Sequence, residues 1–496
     1  MALMGVDLGS SSCKAVVFDE SGTVLSSAQK AFPAIFDGNH VEMDPRVTFN
    51  AFAKAVNEAS SGSKDGIRAL AIASHGESYL PVDAVCKPVG NIILNMDNRA
   101  IRQSEKLERE FGAESIYYET GAPIHPMFAL TKIMWQKEHG IKASRFISVA
   151  DYIAGELGLG TITDYSLASR FMGFDVSCKK WSERLLDAAS IDKNQLPVPV
   201  QASTPVGELS AKAASLLGLS KGAIVCAGGH DQPVGALGAG ITESGKASIS
   251  AGSYECIAVA SDKPMCTEKA FEYKFNSYCH VVPGKYITLA FSPGAMVVQW
   301  FVEQLCALDV KIAEEAGVSV YEYLNEKASA VRHPTGISIT PHLVGSNNPK
   351  WDVRATTVIA GLTPSVTRYA IYKAIFEGIA SELALNTKAL EEVTGEIERF
   401  RISGGGARYP FSVELRAALT GRTIEHLTTS EAVCLGAAML AGLGAGVFKD
   451  FTQATGNMVH VASGIRPDPE LAAEYGTQTK RYSALFDGLE TYRGIN

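Results

Sequence analysis

Residues 4–14 read Met-Gly-Val-Asp-Leu-Gly-Ser-Ser-Ser-Cys-Lys, a hydrophobic run that ends at an acid and turns through glycine and serine. The apolar residues before Asp7 predict a short strand, and residues 8–12 predict a tight turn. Residues 14–18 predict the returning strand, and residues 23–27 predict a third. The start of the chain is therefore predicted to be an antiparallel meander.

The same pattern recurs about half the chain later. Residues 247–250 predict a strand, Ala251-Gly252-Ser253 predicts a turn, and residues 256–260 predict a strand that returns. A unit that repeats at such a spacing indicates two halves with related folds. We therefore expect an α/β protein built from two similar domains.

Other predicted strands also end in polar or glycine-rich clusters. The clusters are Ser74-His75-Gly76-Glu77-Ser78, Asn95-Met96-Asp97-Asn98-Arg99, Gly228-Gly229-His230-Asp231-Gln232 and Ser403-Gly404-Gly405-Gly406-Ala407-Arg408. Ligands bind at such strand ends in open α/β sheets. Glycine turns bring backbone N–H groups close to an anion. Four glycine turns, at residues 9–12, 228–229, 252–253 and 404–406, lie in two matching halves. Together they fit a nucleotide held between the domains, although any single turn can be an ordinary hairpin.

The composition excludes several classes of protein. The 496 residues are 46% hydrophobic and 20% charged, which is typical of a folded chain. A net charge of −8 argues against nucleic-acid binding. Nine scattered cysteines without a Cys-x-x-Cys pair predict reduced thiols and no zinc site. With no long apolar stretch and no basic leader, we expect a soluble, cytoplasmic enzyme without a membrane partner.

Two familiar nucleotide motifs are not supported. Residues 240–246 match G-x-x-x-x-G-K, but Ala247 stands where a P-loop needs serine or threonine. The segment also leads into a strand instead of a helix, which favours a surface turn. No G-x-G-x-x-G follows a predicted strand, which argues against a Rossmann site.

Two acids follow strands beside glycine. Phosphoryl transfer needs carboxylates to hold Mg²⁺ and to accept the proton of the attacking hydroxyl. Asp7 and Asp231 are candidates, although a turn aspartate is often only a backbone cap. Asp231 is favoured because glycines and small residues surround it. A His230–Asp231 catalytic pair is not favoured, since no serine or cysteine accompanies it.

Short acids and forked donors at the ends of two further strands suit vicinal hydroxyls. His75, Glu77, Asp97 and Arg99 form this group, although Asp97 and Arg99 can also be a solvated ion pair.

Seven segments, in the expected order, resemble the FGGY carbohydrate kinase family, which includes xylulose, glycerol and gluconate kinases. They are residues 5–14 and 250–253 (two phosphate motifs), 163–170, 228–236 (the catalytic-base segment), 294–300, 341–352 and 404–408 (the adenosine motif). The resemblance covers nearly the whole chain and implies two actin-like (ribonuclease H-like) domains with a cleft between them. Residues 1–243 would bind sugar and supply the base, and residues 244–496 would bind nucleotide.

The resemblance also implies roles for single residues. Asp231 would be the general base and Asp7 would help to place Mg²⁺. The residues implied for ATP are Gly9, Ser10, Ser11, Ser12, Lys14, Gly252, Ser253, Gly294, Gln299, Gly405, Gly406 and Ala407, and those implied for the acceptor are His75, Glu77, Asp97, Arg99 and Gln232. The expected cofactors are thus ATP and Mg²⁺.

Some positions depart from the family patterns and leave the substrate open. Gly76 replaces an arginine of glycerol kinases, Asn95 replaces a tryptophan of xylulose kinases, and Met127 replaces a tyrosine of glycerol kinases. Tyr254 and Glu255 stand where small residues are frequent.

The resulting expectation is ATP-dependent phosphorylation of a small sugar or polyol at a terminal hydroxyl, with a ketose such as xylulose favoured. Alternatives are a glycerol- or erythritol-type polyol kinase and a non-catalytic actin-like sugar sensor. The sequence is also compatible with a homodimer.

Overall fold

Two central β-sheets with the same strand order organise the protein, whose computed structural model describes residues 1–494. The strands of the first half are β1 (Ala2–Leu8), β2 (Ser12–Asp19), β3 (Val24–Ala31), β4 (Ile35–Asp37), β5 (His40–Met43), β6 (Ile67–Ser74), β7 (Tyr79–Val82), β8 (Ile92–Ile93), β9 (Arg145–Ser148), β10 (Ile162–Asp164), β11 (Phe174–Asp175), β12 (Lys180–Trp181), β13 (Val198–Val200), β14 (Pro205–Glu208) and β15 (Ile224–His230). Those of the second half are β16 (Lys246–Ala251), β17 (Tyr254–Ser261), β18 (Asn276–Cys279), β19 (Tyr286–Pro293), β20 (Ser338–Ile339), β21 (Ile359–Ala360), β22 (Arg399–Ser403), β23 (Thr423–Leu427) and β24 (Val461–Ile465).

Helices flank both sheets. In the first half they are α1 (Pro45–Ser61), α2 (Ile101–Phe111), α3 (Ala113–Thr120), α4 (Ala129–Glu138), α5 (Val149–Glu156), α6 (Tyr165–Ser169), α7 (Glu183–Ala188), α8 (Ala211–Leu217) and α9 (Asp231–Gly238). In the second half they are α10 (Glu268–Glu272), α11 (Ala295–Leu305), α12 (Ala307–Ala316), α13 (Val320–Ser329), α14 (Arg368–Thr394), α15 (Pro410–Thr420), α16 (Ala432–Gly444), α17 (Phe451–Met458) and α18 (Pro469–Arg493).

The two sheets repeat one topology. The first has the order β14-β15-β6-β1-β2-β3, and the second has the order β18-β19-β17-β16-β22-β23-β24. In each sheet three antiparallel strands are followed by two that lie parallel to the first. The predicted meander, its recurrence and the α/β class are therefore confirmed.

The parallel strands of the first sheet end in register. Leu8 of β1 and His230 of β15 both pair with Ser74 of β6. Residues that follow these three strands therefore leave the sheet at one edge, which we call the first carboxyl edge. In the second sheet Ser250 pairs with Ser403, so β16 and β22 form a second carboxyl edge.

One predicted turn is absent from its expected place. Gly228-Gly229 was expected to end a strand, but β15 continues through both residues to His230 and the helix begins at once with Asp231. The register shifts between Ala227 and Gly229, and a Cβ at Gly228 would collide with the carbonyl of Ile72. Gly228 is thus needed for a bulge inside the strand, which is consistent with the role of glycine at such irregularities.

Helix α16 comes from the second half of the chain but packs on the first sheet. Its apolar residues share one buried cluster with residues of β1 and β6, such as Leu3 and Ala71. It crosses α9 where a Cβ at Gly238 would collide with Ala432 O and one at Gly436 with Val234 O. The two halves are thus joined by close backbone contact beside the first carboxyl edge.

The local sequence accounts for the start of α1. Asp44 caps α1, where its side chain accepts hydrogen bonds from the N–H groups of Arg46 and Val47, and Pro45 opens the helix. Within residues 1–494 no helix is long and apolar enough to cross a membrane. All nine cysteines are free.

Candidate active site

The first carboxyl edge brings three of the predicted residues together. Asp7 lies on β1, His75 follows β6 directly, and Asp231 follows β15. The in-register strand ends place them side by side, as ligand sites of open α/β sheets require.

Asp231 is the first residue of α9, and its side chain is 24% exposed. Burial raises the pKa of Asp231 to about 8, and the carboxylates of Asp7 and Glu77 add to the shift. The backbone N–H of Gln232 opposes it. A carboxylate with a raised pKa is a stronger base, which is the property expected of a residue that takes a proton from a hydroxyl.

His230 lies against Asp231 but is held from the other side. Its Nδ1 is 2.6 Å from the hydroxyl of Tyr278, and its backbone N–H donates to Ser166 Oγ. Burial lowers the pKa of His230 to about 3, so the ring is neutral. Its Nε2 is 3.1 Å from Oδ1 of Asp231, yet that oxygen accepts no hydrogen bond from residues 1–494. This supports a positioned histidine instead of a catalytic pair.

Glu77 is paired with Arg170, which sequence reasoning had not chosen as a site residue. Arg170 Nε donates to Glu77 Oε1 at 2.7 Å, and its Nη1 donates to Asn276 Oδ1 at 2.9 Å. Burial alone would raise the pKa of Glu77, but Arg170 overrides it and holds the pKa at about 2. The guanidinium also lies 4.9 Å from the ring of Tyr278. Glu77 is therefore ionised and fixed at the wall of the site.

Asp97 and Arg99 form an ion pair that is buried, not solvated. Arg99 Nε lies 2.9 and 3.0 Å from the two Asp97 oxygens, and the N–H of Val41 donates to Oδ2 at 2.6 Å. Arg99 also reaches Glu42 Oε1 at 2.7 Å and lies 4.9 Å from the ring of Trp135. Both Asp97 oxygens are engaged, so this pair orders the loop after β8.

Lys132 of α4 is a second residue that the sequence did not single out. It is 2% exposed, and its Nζ donates to the carbonyls of Leu94 at 2.7 Å and Glu77 at 3.2 Å. Burial lowers the pKa of Lys132 to about 7, although Glu77 and Asp97 oppose the shift. The apolar residues around Lys132 in the sequence do not mark it as a site residue, because its hydrogen-bond partners are backbone atoms distant in sequence.

His75 has one ring nitrogen engaged and one without a partner. Nδ1 lies 3.1 Å from the carbonyl of Leu8, whereas buried Nε2 has no hydrogen-bond partner in the described part of the chain. The buried side-chain oxygens of Ser74, Ser78 and Asn95 are likewise unmatched there. Buried polar groups normally have partners, so this cluster fits a polar ligand.

A cavity of about 290 Å³ opens at the second carboxyl edge. Its lining includes five of the residues implied for ATP, namely Gly252, Ser253, Gln299, Gly405 and Gly406. Gly404, just before this turn, has φ +92°, and a Cβ there would lie 2.6 Å from Ala251 O. The glycine turn therefore lies directly against the end of β16, and its open face suits a nucleotide.

The remaining residues implied for ATP lie outside the lining of this cavity, some near it and some at the first carboxyl edge. Gly294 precedes α11, where the N–H of Ala295 donates to Gly252 O at 2.9 Å. Ala407 lines a neighbouring cavity of about 580 Å³ on the other side of the turn. The Gly9, Ser10, Ser11, Ser12 turn closes with a hydrogen bond from Gly9 N–H to Ser12 O at 3.0 Å, at the first carboxyl edge.

A buried Glu255–Arg416 ion pair also lines the 290 Å³ cavity. The two residues are 1% and 2% exposed, and neither Glu255 Oε2 nor Arg416 Nε has a hydrogen-bond partner in residues 1–494. The sequence indicates Glu255 only as a departure from the small residues that are frequent there. Its partner Arg416 lies on α15, far away in sequence.

The surroundings of Asp7 fit a divalent cation. Burial raises the pKa of Asp7 to about 6, Glu431 adds to the shift, and Lys14 opposes it. Lys14 Nζ lies 2.6 Å from Glu431 Oε2. Mg²⁺ commonly takes one or two carboxylates, with water and phosphate as its other ligands. Residues 1–494 contain no group of three or more His, Cys, Asp or Glu side chains that could hold a metal ion by themselves.

Comparisons with known proteins extend these observations. The model of the FGGY family of carbohydrate kinases, N-terminal domain, matches residues 2–238, and the C-terminal domain model matches residues 247–445. The gluconokinase of Bacillus subtilis is 26% identical over 96% of this chain and 93% of its own length. The glycerol kinase of Pseudothermotoga lettingae is 28% identical over 91% of each chain, and the xylulose kinase of Staphylococcus xylosus is 24% identical over 99% of each.

Solved structures show the same fold. A ligand-bound xylulose kinase from Lactobacillus acidophilus superposes with a TM-score of 0.89 at 22% identity, covering 99% of each chain. Plasmodium falciparum glycerol kinase with ADP gives a TM-score of 0.86 at 18% identity, covering 100% of this chain and 98% of that one. The expected pair of actin-like domains is confirmed by these likenesses.

Proposed function

The chain belongs to the FGGY family of carbohydrate kinases, and on that premise we propose that it transfers the γ-phosphate of ATP to a terminal hydroxyl of a small ketose. The carrying observation is Asp231, a base of raised pKa at the carboxyl edge that also holds His75 and Asp7. What favours a ketose is the 95–99 segment, which resembles that of xylulose kinases.

In the proposed reaction Asp231 takes the proton as the hydroxyl oxygen attacks the γ-phosphorus in line, the bond from that phosphorus to the β–γ bridging oxygen breaks, and ADP leaves. His75 and the loops held by the Glu77–Arg170 and Asp97–Arg99 pairs would orient the acceptor. Gln232, in the first turn of α9, would also contact it. Backbone N–H groups of the turns that follow Gly9 and Gly252 would bind the phosphates. Mg²⁺, held near Asp7 with Lys14 and Glu431 alongside, supplies charge neutralisation when bound.

The division of labour between residues 1–243 for acceptor and base and residues 244–496 for nucleotide is part of the same proposal. We also propose a cytoplasmic location, because the nine free thiols are typical of a reducing compartment. Closure of the cleft would exclude water and limit ATP hydrolysis without sugar.

The test is an ADP-release screen over xylulose, ribulose, fuculose, glycerol, erythritol and gluconate, with the phosphorylated product identified by mass. Release stimulated by a ketose supports the proposal. A preference for glycerol or erythritol would replace it by a polyol kinase, and a preference for gluconate by an aldonate kinase. Sugar binding without ADP release from any acceptor would indicate a sensor.

A further inference from the structure

Lys132 joins two loops that arise from different sheets. Glu77 follows β6 of the first sheet, whereas Leu94 follows β8 of a small sheet with β4 and β5. The ammonium group donates to the carbonyl of each. One loop carries His75 and Glu77 and the other carries Asp97 and Arg99, so a single side chain on α4 links the two loops.

The charge of Lys132 is arranged differently from that of the neighbouring arginines. Arg170 and Arg99 each meet a carboxylate directly, at Glu77 and Asp97. Lys132 donates to neutral carbonyl oxygens. The groups that face it are Glu77 and Asp97, which favour its charge, and Arg99, which opposes it. The positive charge of Lys132 also lowers the pKa of His75 and that of His125.

Burying an ammonium group costs desolvation free energy, and an apolar side chain of similar length normally gives a more stable protein interior. Its presence here therefore calls for a function that a methionine could not perform. Holding two carbonyls at a fixed distance is such a function, since only a donor with several N–H groups can bind both.

We propose that Lys132 is a positioning residue for the acceptor, which holds the 74–78 and 95–99 loops at the separation that presents the hydroxyl to Asp231. The inference rests on the proposed function. Loss of Lys132 is predicted to weaken acceptor binding and leave the 290 Å³ nucleotide cavity, at the second carboxyl edge, unaffected.

The test compares Lys132→Met with Lys373→Met. Lys373 is a matched control, because it is also a buried lysine that donates to a carbonyl, that of Val331 at 2.6 Å, but it lies in the second half on α14. Since a hydrogen bond to a charged group contributes about 1.5–3 kcal/mol, Lys132→Met is expected to raise the acceptor KM roughly 10- to 100-fold. The ATP KM should stay within about twofold, and Lys373→Met should change neither.

Lys132→Gln keeps a donor and should recover part of the lost acceptor affinity; it also serves if Lys132→Met does not fold. Acceptor binding by calorimetry, without ATP, should follow the same order. Equal kinetics for the Lys132 and Lys373 variants, or equal rises in both KM values, would overturn the inference. If instead the wild-type enzyme phosphorylates none of the acceptors, it is the proposed function that fails.

Discussion

Nε2 of His230 lies 3.1 Å from Oδ1 of Asp231 without donating a hydrogen bond to it. The ring is neutral, because burial lowers the pKa of His230 to about 3. A neutral neighbour does not stabilise the negative charge of the aspartate, so the carboxylate keeps the basicity that burial confers. The histidine thus shapes the site without weakening the base.

Asp231→Asn keeps the shape of the side chain and removes the base. We expect turnover to fall by about 10²–10⁴-fold, the usual contribution of a general base. Nucleotide affinity, measured by calorimetry, should stay unchanged because the 290 Å³ cavity lies on the other sheet. Near-normal turnover would remove Asp231 from the catalytic role.

The acceptor kcat/KM should depend on pH in two ways. It should rise toward pH 8 as Asp231, with a pKa of about 8, loses its proton. It should fall above pH 7 as Lys132, with a pKa of about 7, loses its positive charge and donates more weakly to the two carbonyls. The wild-type profile should therefore be bell-shaped, and that of Lys132→Met should only rise. A falling limb that persists in Lys132→Met would contradict this assignment.

Deprotonation of Asp231, which favours catalysis, should lower the stability of the protein. Burial raises the pKa of Asp231 from 3.8 to about 8, so the folded state binds its proton more tightly than the unfolded state. That contribution is complete below about pH 4 and is lost as pH rises through about 8, at up to about 1.4 kcal/mol per pH unit. Urea titrations of wild type and Asp231→Asn should therefore diverge with rising pH, in favour of the variant.

The Glu77–Arg170 pair should show strong coupling. Glu77→Gln leaves a buried guanidinium without its counter-charge, and we expect a loss of about 3–5 kcal/mol in the free energy of unfolding together with weaker acceptor binding. Glu77→Gln/Arg170→Met should regain most of the stability but not the acceptor affinity. Additive losses in urea titrations would mean that the two side chains act independently.

The glycine turn at the second carboxyl edge can be tested with a matched pair. Gly404→Ala places a Cβ 2.6 Å from Ala251 O at φ +92°, and should raise the ATP KM. Gly421→Ala meets only the cost of a left-handed residue, about 1–2 kcal/mol, at φ +66° and ψ +20° in open space, whereas Gly404 has ψ −179° and lies in a region that glycine alone populates readily. Only the first variant should lose nucleotide affinity while both lose stability, as measured by calorimetry and thermal unfolding.

The Glu255–Arg416 pair provides a double-mutant cycle inside the nucleotide cavity. Glu255→Gln and Arg416→Met should each cost about 3–5 kcal/mol, since each leaves a buried charge or donor unmatched. The double variant should be close to wild type in unfolding free energy. A double variant as unstable as the sum of the two would show that the pair is not coupled.

Much of the fold could be predicted because its signals are local. The hairpins at Gly9 and Gly252 follow from apolar runs broken by glycine and serine, and Asp44-Pro45 marks a helix start within two residues. The grouping of Asp7, His75 and Asp231 followed from one rule, that parallel strands end at one edge.

The features that were missed depend on contacts between distant segments. Arg170 meets Glu77 across 93 residues, and Lys132 meets the carbonyls of Glu77 and Leu94 across 55 and 38. No periodicity or spacing encodes such partners. The bulge at Gly228 was read as a turn because a glycine pair has the same local signature in both settings, and only the neighbouring strand distinguishes them.

The packing of α16 on the first sheet has a consequence for synthesis of the protein. Translation completes every strand of that sheet long before residues 432–444 leave the ribosome. Until then, the apolar sheet face that α16 covers is exposed in the nascent N-terminal half. Chaperone dependence and aggregation during expression should therefore be concentrated in the interval before α16 emerges, whatever the final stability of the finished enzyme.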